Sequence, residues 1–270
     1  MTNAALQSGT HAIATMFERS KAEHRAAFLP YYPIGYPTYE QSLDAIEAMA
    51  AAGVDGFEIG IPFSDPLADG PTIQAATQVA LENGITVRHC LGAVRDLRAR
   101  GVRQPMLLMG YLNPILAYGP EAFVRDARAA GADGLIVPDL PPEEASLLAG
   151  ACAREGLALV FFLAPTSSDE RIRLVGQRVR GFIYMVSVTG VTGARAGLPP
   201  DLAEFITRVR ALTDQPLVLG FGISQPGQAR AMNGLVDGFI VGSALVKAGA
   251  AGVEAVRDLA GRLRDALGDT

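Results

Sequence analysis

The residues best suited to chemistry are concentrated in one segment, FEIGIPFSDPLADGPTIQ, residues 57–74. Glu58 stands between Phe57 and Ile59 in an apolar run. A carboxylate in such a run costs free energy unless it is paired or protonated. Two readings are open. Either Glu58 is salt-bridged to an arginine inside the protein, or it is a general acid or base whose pKa desolvation has raised toward working pH. The loop that follows is dense in Pro, Ser and Asp. Asp65, in Ser-Asp-Pro, suits a turn. Asp69, before Gly70 and Pro71, suits the N-cap of a helix. A buried Glu followed by an Asp on the next loop is equally a candidate acid–base pair.

Residue counts narrow the chemistry further. The chain has three His (His11, His24, His89), two Cys (Cys90, Cys152) and two Lys (Lys21, Lys247), against 21 Arg. No His or Cys pair has the spacing of a metal site or a redox dithiol. Imidazole, thiolate, zinc and a Schiff-base lysine are therefore not expected, which leaves carboxylates, hydroxyls and backbone dipoles. A net charge of −5, from 28 acidic and 23 basic residues, speaks against a groove for nucleic acid.

The elements that must hold these groups are legible as short apolar runs followed by helical stretches. The 270 residues, 49% hydrophobic and 19% charged, supply ample core. Strands are expected at 27–34, 54–61, 104–112, 133–138, 157–164, 181–188, 215–221 and 236–242. Between them, apolar residues recur every three or four positions, as in 39–53, 120–131 and 201–212. Continuously apolar strands are buried on both faces, which implies a parallel sheet covered by helices. Eight such units fit a single (β/α)8 barrel across residues 1–270, and a doubly wound sheet fits the same string. The phrases AGVDGFEIG, AGADGLIVP and GLVDGFIVG repeat a small–Gly–x–Asp–Gly-like lead into a strand, which favours the barrel. Residues 1–22 are expected to form an extra helical arm across the bottom.

In a barrel, function lies at the C-terminal strand ends. Gly220-Phe221-Gly222-Ile223-Ser224 follows the seventh strand, and Gly242-Ser243 follows the eighth. Glycines let backbone N–H groups approach an anion, and a helix N-terminus adds a favourable dipole. The same glycines could simply turn the chain, but two clusters on successive strand ends favour a phosphate. The stretch SVTGVTGARAGLPPDL, residues 187–202, is either a surface loop or a lid over the site. Tyr184 is either a core residue or an active-site hydroxyl.

The run GIPFSDPLADGPTIQ closely resembles the signature of the tryptophan synthase α subunit family, and the resemblance extends from about Phe17 to the C-terminal helix. It implies a TIM barrel that cleaves indole-3-glycerol phosphate to indole and glyceraldehyde 3-phosphate. Glu58 and Asp69 match the family's catalytic carboxylates, and Tyr184 an active-site tyrosine. Gly193, Gly222, Gly242 and Ser243 match its phosphate site. Tyr31, Met109, Tyr111, Ile136 and Phe162 match the walls of its indole slot. Thr192 matches a lid residue that contacts the catalytic aspartate. Pro33, Tyr36 and Pro138 depart from the family pattern, which has threonine, aspartate and a small alanine there.

The chemistry agrees with the shortage of Lys and His. A retro-aldol cleavage needs an electron sink, and indole protonated at C3 supplies its own. The resemblance also implies a heterotetramer with a β subunit, on which pyridoxal phosphate is expected, and no cofactor in this chain. The partner contact is expected on the top face, around Asp65–Pro66 and 187–199. Two other readings are a stand-alone indole-3-glycerol-phosphate lyase and a phosphate-binding barrel without catalysis. The N-terminal segment lacks the pattern of a secretory signal, and no 18-residue apolar run is present. With two unpaired cysteines, a cytoplasmic location is expected.

Overall fold

A computed structural model describes residues 8–186, 200–220 and 222–268. Eight parallel strands close into a barrel in sequence order: β1 (Ala27–Pro33), β2 (Phe57–Gly60), β3 (Met106–Met109), β4 (Gly134–Ile136), β5 (Ala158–Leu163), β6 (Ile183–Val186), β7 (Leu217–Gly220) and β8 (Gly238–Val241). β8 pairs with β1, so the sheet has no free edge and the doubly wound alternative is excluded. Helices follow the strands and cover the outside, two of them after β2 (Pro71–Glu82 and Val87–Ala99).

Several strands are shorter than their apolar runs, for a physical reason. The aspartates just before β2, β4 and β8 stand ahead of the strands proper. They fasten each strand to the one before it. Asp55 accepts from the Phe28 N–H at 2.9 Å and from Arg25 at 2.6 Å. Asp133 accepts from the Met106 N–H at 2.8 Å and from Arg98 at 2.6 Å. Asp237 accepts from the Leu217 N–H at 2.7 Å and pairs with Arg210 at 2.6 Å. At the glycines that follow Asp55 and Asp133 a side chain would collide. A methyl at Gly56 would lie 2.9 Å from Met16 Sδ, and one at Gly134 would lie 2.8 Å from Ala158 Cβ. β6 breaks the pattern with Arg180-Gly181, where Arg180 and Leu159 exchange backbone bonds instead.

Asp55 and Arg25 are both buried. Burial pushes the Asp55 carboxyl up, but Arg25 and the Phe28 N–H outweigh it and hold its pKa below the usual value. Asp55→Ala is therefore expected to cost about 3–5 kcal/mol, because it strands a buried guanidinium, and urea unfolding would measure this. The pair's contribution is present above the unfolded-state pKa of about 4 and is lost as pH falls through the lower folded value.

The helix Gly9–Ala22 lies under this same end of the barrel, as expected. Ile13, Met16 and Phe17 are buried there, and Phe17 meets Phe182 edge-on at 6.0 Å between centroids. Strand register then fixes which side chains point inward. Tyr31 pairs with Glu58, and Glu58 with Leu107, so all three share the interior face. One layer further along, Gly60, Met109 and Ile136 are in register. Phe162 and Tyr184 form another interior pair. Phe57, Ile59 and Tyr32 alternate outward against the helices.

Candidate active site

The inward positions converge on Glu58. It is buried, its Oε1 has no hydrogen-bond partner, and no arginine reaches it among the described residues. Among the described residues, then, no salt bridge neutralises Glu58. Desolvation, reinforced by the nearby Asp69 charge, pushes its pKa up to about 8. At neutral pH Glu58 is a protonated acid with a free oxygen in a barrel interior.

Asp69 does not cap the next helix. The N-cap of Pro71–Glu82 is Gly70, which makes no side-chain cap bond, with Pro71 in the first turn where its missing N–H costs nothing. The Asp69 carboxylate instead accepts from the Tyr111 hydroxyl at 3.1 Å. Burial raises its pKa to about 6, and the Tyr111 bond holds it down against that rise. The two acids thus titrate apart, and between about pH 6 and 8 one is ionised while the other is neutral. Asp65 lies outside this pair. It belongs to a turn in which the Leu67 N–H donates to its carbonyl at 2.9 Å.

Two tyrosines crowd the carboxylates, and each rests on a glycine of the next strand. A methyl at Gly60 would lie 2.4 Å from the Tyr31 hydroxyl oxygen, and one at Gly220 would lie 2.3 Å from the Tyr184 ring. Burial, with Glu58 and Asp69 close by, drives both phenol pKa values well above normal. The Thr77 side chain hydrogen-bonds to Tyr31, and this buried threonine was not singled out from sequence. A buried polar residue on the inner face of Pro71–Glu82 was its only signal. Gly60→Ala is expected to displace Tyr31 and to destabilise the fold by about 1–3 kcal/mol through overpacking. Denaturant unfolding checks the stability, and a fall in turnover checks the displacement.

The expected slot residues divide. Met109 and Ile136 are buried in the layer above Glu58, and Phe162 stacks on Tyr184 at 4.6 Å between ring centroids. Tyr111 is the N-cap residue of the helix Leu112–Tyr118 after β3 and faces the β2 loop. Its ring also walls a cavity of about 270 Å³ bounded by Phe63, Leu67, Pro138 and Asp139. Pro138 therefore bounds this outer cavity. Pro33 ends β1 opposite Gly60, and Tyr36 precedes Pro37 across a cis peptide bond.

Of the residues expected to face a phosphate, Gly222 adopts φ +40°, and Gly242 is the N-cap of the helix that Ser243 begins. Gly242 also abuts Tyr31, with the site of a methyl 3.4 Å from the Tyr31 ring. Tyr31, opposite Glu58 in the register, therefore packs on both Gly60 and Gly242. Gly193 and Thr192 lie outside the described residues. Among the described residues no His, Cys, Asp and Glu group is arranged to hold a metal ion.

A closed parallel barrel with one acid in its interior, a second of lower pKa on the loop above it, and glycines at the last two strand ends defines a (β/α)8 enzyme of the proton-transferring class. Comparison with known proteins agrees and goes further. The family model for the tryptophan synthase alpha chain matches residues 17–264. The tryptophan synthase alpha chain of Chloroflexus aggregans is 52% identical over 234 residues, covering 87% of this chain and 88% of that one. A solved structure of Mycobacterium tuberculosis tryptophan synthase superposes with a TM-score of 0.90 at 41% identity, covering 94% of this chain and 97% of that one. The tryptophan synthase subunit alpha of Legionella pneumophila gives 0.88 at 35% identity, covering 96% and 99%. The chain belongs to the tryptophan synthase alpha chain family.

Proposed function

We propose that Glu58 and Asp69 divide the work of the family's reaction, the cleavage of indole-3-glycerol phosphate to indole and glyceraldehyde 3-phosphate. Protonated Glu58 gives its proton to indole C3 and then takes the proton of the glycerol hydroxyl next to the scissile bond. The C–C bond breaks, its electron pair returns to the ring, and the alkoxide carbon becomes the aldehyde. Asp69, ionised, accepts the ring N–H and stabilises the positive charge that develops there. Tyr184 stands beside both acids. The observation that carries this reading is the unpartnered, protonated Glu58 next to an acid of lower pKa.

The indole ring is assigned to the slot of Tyr31, Met109, Ile136 and Phe162, with Tyr111 at its edge. The phosphate is assigned to Gly222, Gly242 and Ser243, and by resemblance to Gly193, with Thr192 on the covering loop. Main-chain dipoles carry most of the anion binding in this assignment. The family works with a β subunit. We assign the docking face to the top loops around Asp65–Pro66, where Leu67 is 93% exposed. A heterotetramer, with pyridoxal phosphate on the β chains, then receives the indole. No helix among the described residues is long and apolar enough to cross a membrane. A reducing compartment such as the cytoplasm suits the two free, buried thiols.

Indole release from indole-3-glycerol phosphate, with and without a β subunit, tests this reading. A large rise on adding the partner supports the assembled enzyme, whereas a high rate alone supports a stand-alone lyase. No indole under either condition overturns both.

A further inference from the structure

The family resemblance places Tyr111 in a wall of the slot, yet its hydroxyl has a more specific setting. The phenol oxygen accepts the Ala68 N–H at 2.9 Å, and its O–H lies 3.1 Å from Asp69 Oδ2. A phenol has one proton to give. With the backbone N–H as donor to the oxygen, that proton is committed to the carboxylate.

Resting on the role proposed for Asp69, we infer that Tyr111 is a positioning residue for that carboxylate: it holds Oδ2 against the β2 loop and turns Oδ1 toward the ring N–H of the substrate. Ala68 and Asp69 are adjacent, so the Tyr111 hydroxyl pins the backbone and the side chain of one short segment with a single group. That segment lies in the loop between β2 and the helix Pro71–Glu82, where the Asp69 N–H donates to the Pro66 carbonyl at 3.0 Å and the Gln74 amide donates to the Asp69 carbonyl at 2.8 Å, which fixes the main chain of Asp69 but not its carboxylate. The groups that face Asp69 are Tyr111 itself, Glu58 on β2, Tyr31 on β1 and Tyr184 on β6. Asp139 faces Tyr111 from the loop after β4. Among these, Tyr111 is the group whose hydrogen bond favours the ionised form of Asp69.

The test is the pH dependence of kcat for indole release by the full chain, in the natural protein, Tyr111→Phe, Asp69→Asn and the double variant. Loss of the phenol proton lets the Asp69 pKa rise, so the acid limb should move to higher pH. Turnover of Tyr111→Phe is expected to fall about 10-fold near pH 6 and to recover to within about 2-fold at the alkaline end, with KM little changed. In the Asp69→Asn background, Tyr111→Phe should be nearly silent, because the group it acts through is gone. An acid limb that stays in place, or an equal loss in both backgrounds, overturns the inference and leaves Tyr111 a wall. Full activity of Asp69→Asn overturns the proposed role of Asp69, and with it this inference. A thermal melt of Tyr111→Phe separates the kinetic effect from unfolding.

Discussion

Glu58→Gln is expected to abolish most turnover while making the folded protein more stable. Gln is nearly isosteric but neither gives nor takes a proton in this range, so the general acid–base contribution, about 10²–10⁴-fold, should be lost. Stability should move the other way. The folded-state pKa of about 8 lies above the unfolded value, so near neutral pH the native state must hold a proton that the unfolded chain has released. That penalty is absent below the unfolded pKa, grows as pH rises through it, and levels off above the folded value. Gln removes it, with a gain on the order of 3 kcal/mol at neutral pH. Indole release and denaturant unfolding on the same preparation would read both effects. A variant that keeps its activity, or that loses stability along with activity, would refute the assigned role.

Asp69→Asn should lose turnover by about 10²–10³-fold, the usual range for removing one group that stabilises developing charge. Its signature differs from that of Glu58→Gln. The amide cannot ionise, so the acid limb near pH 6 should vanish from the kcat profile. Affinity for a phosphate-bearing substrate analogue should change little, because the glycines assigned to the anion lie on β7 and β8 loops. Isothermal titration with such an analogue checks this. A large loss of affinity with turnover preserved would show that Asp69 acts in binding and not in the chemistry.

The barrel was readable because burial on both faces leaves strands without polar alternation, and that pattern needs no tertiary knowledge. The inward orientation of Glu58 was not readable from apolar neighbours alone. It follows from the register with Tyr31 and Leu107 once the sheet closes. Asp69 shows the limit of local reasoning. Asp-Gly-Pro is a good capping sequence, but Tyr111, 42 positions away, competes for the carboxylate and wins. The Asp-Gly repeats were visible as repeats, yet their chemistry depends on arginines far apart in the chain, Arg25, Arg98 and Arg210. Pro138 was legible only as a departure from the family pattern; that it lines the cavity beside Tyr111 and Phe63 depends on the folded course of the loop after β4.

The three aspartate fastenings, the plugging helix and the Phe17–Phe182 contact all sit at the foot of the cylinder, remote from its rim. Mechanical integrity and reactivity are therefore housed at opposite poles. Segments at the rim can be lengthened, exchanged or grafted from relatives without loosening a single one of those lower stitches. For anyone re-cutting this scaffold toward another leaving group, the lower pole is the part to leave alone.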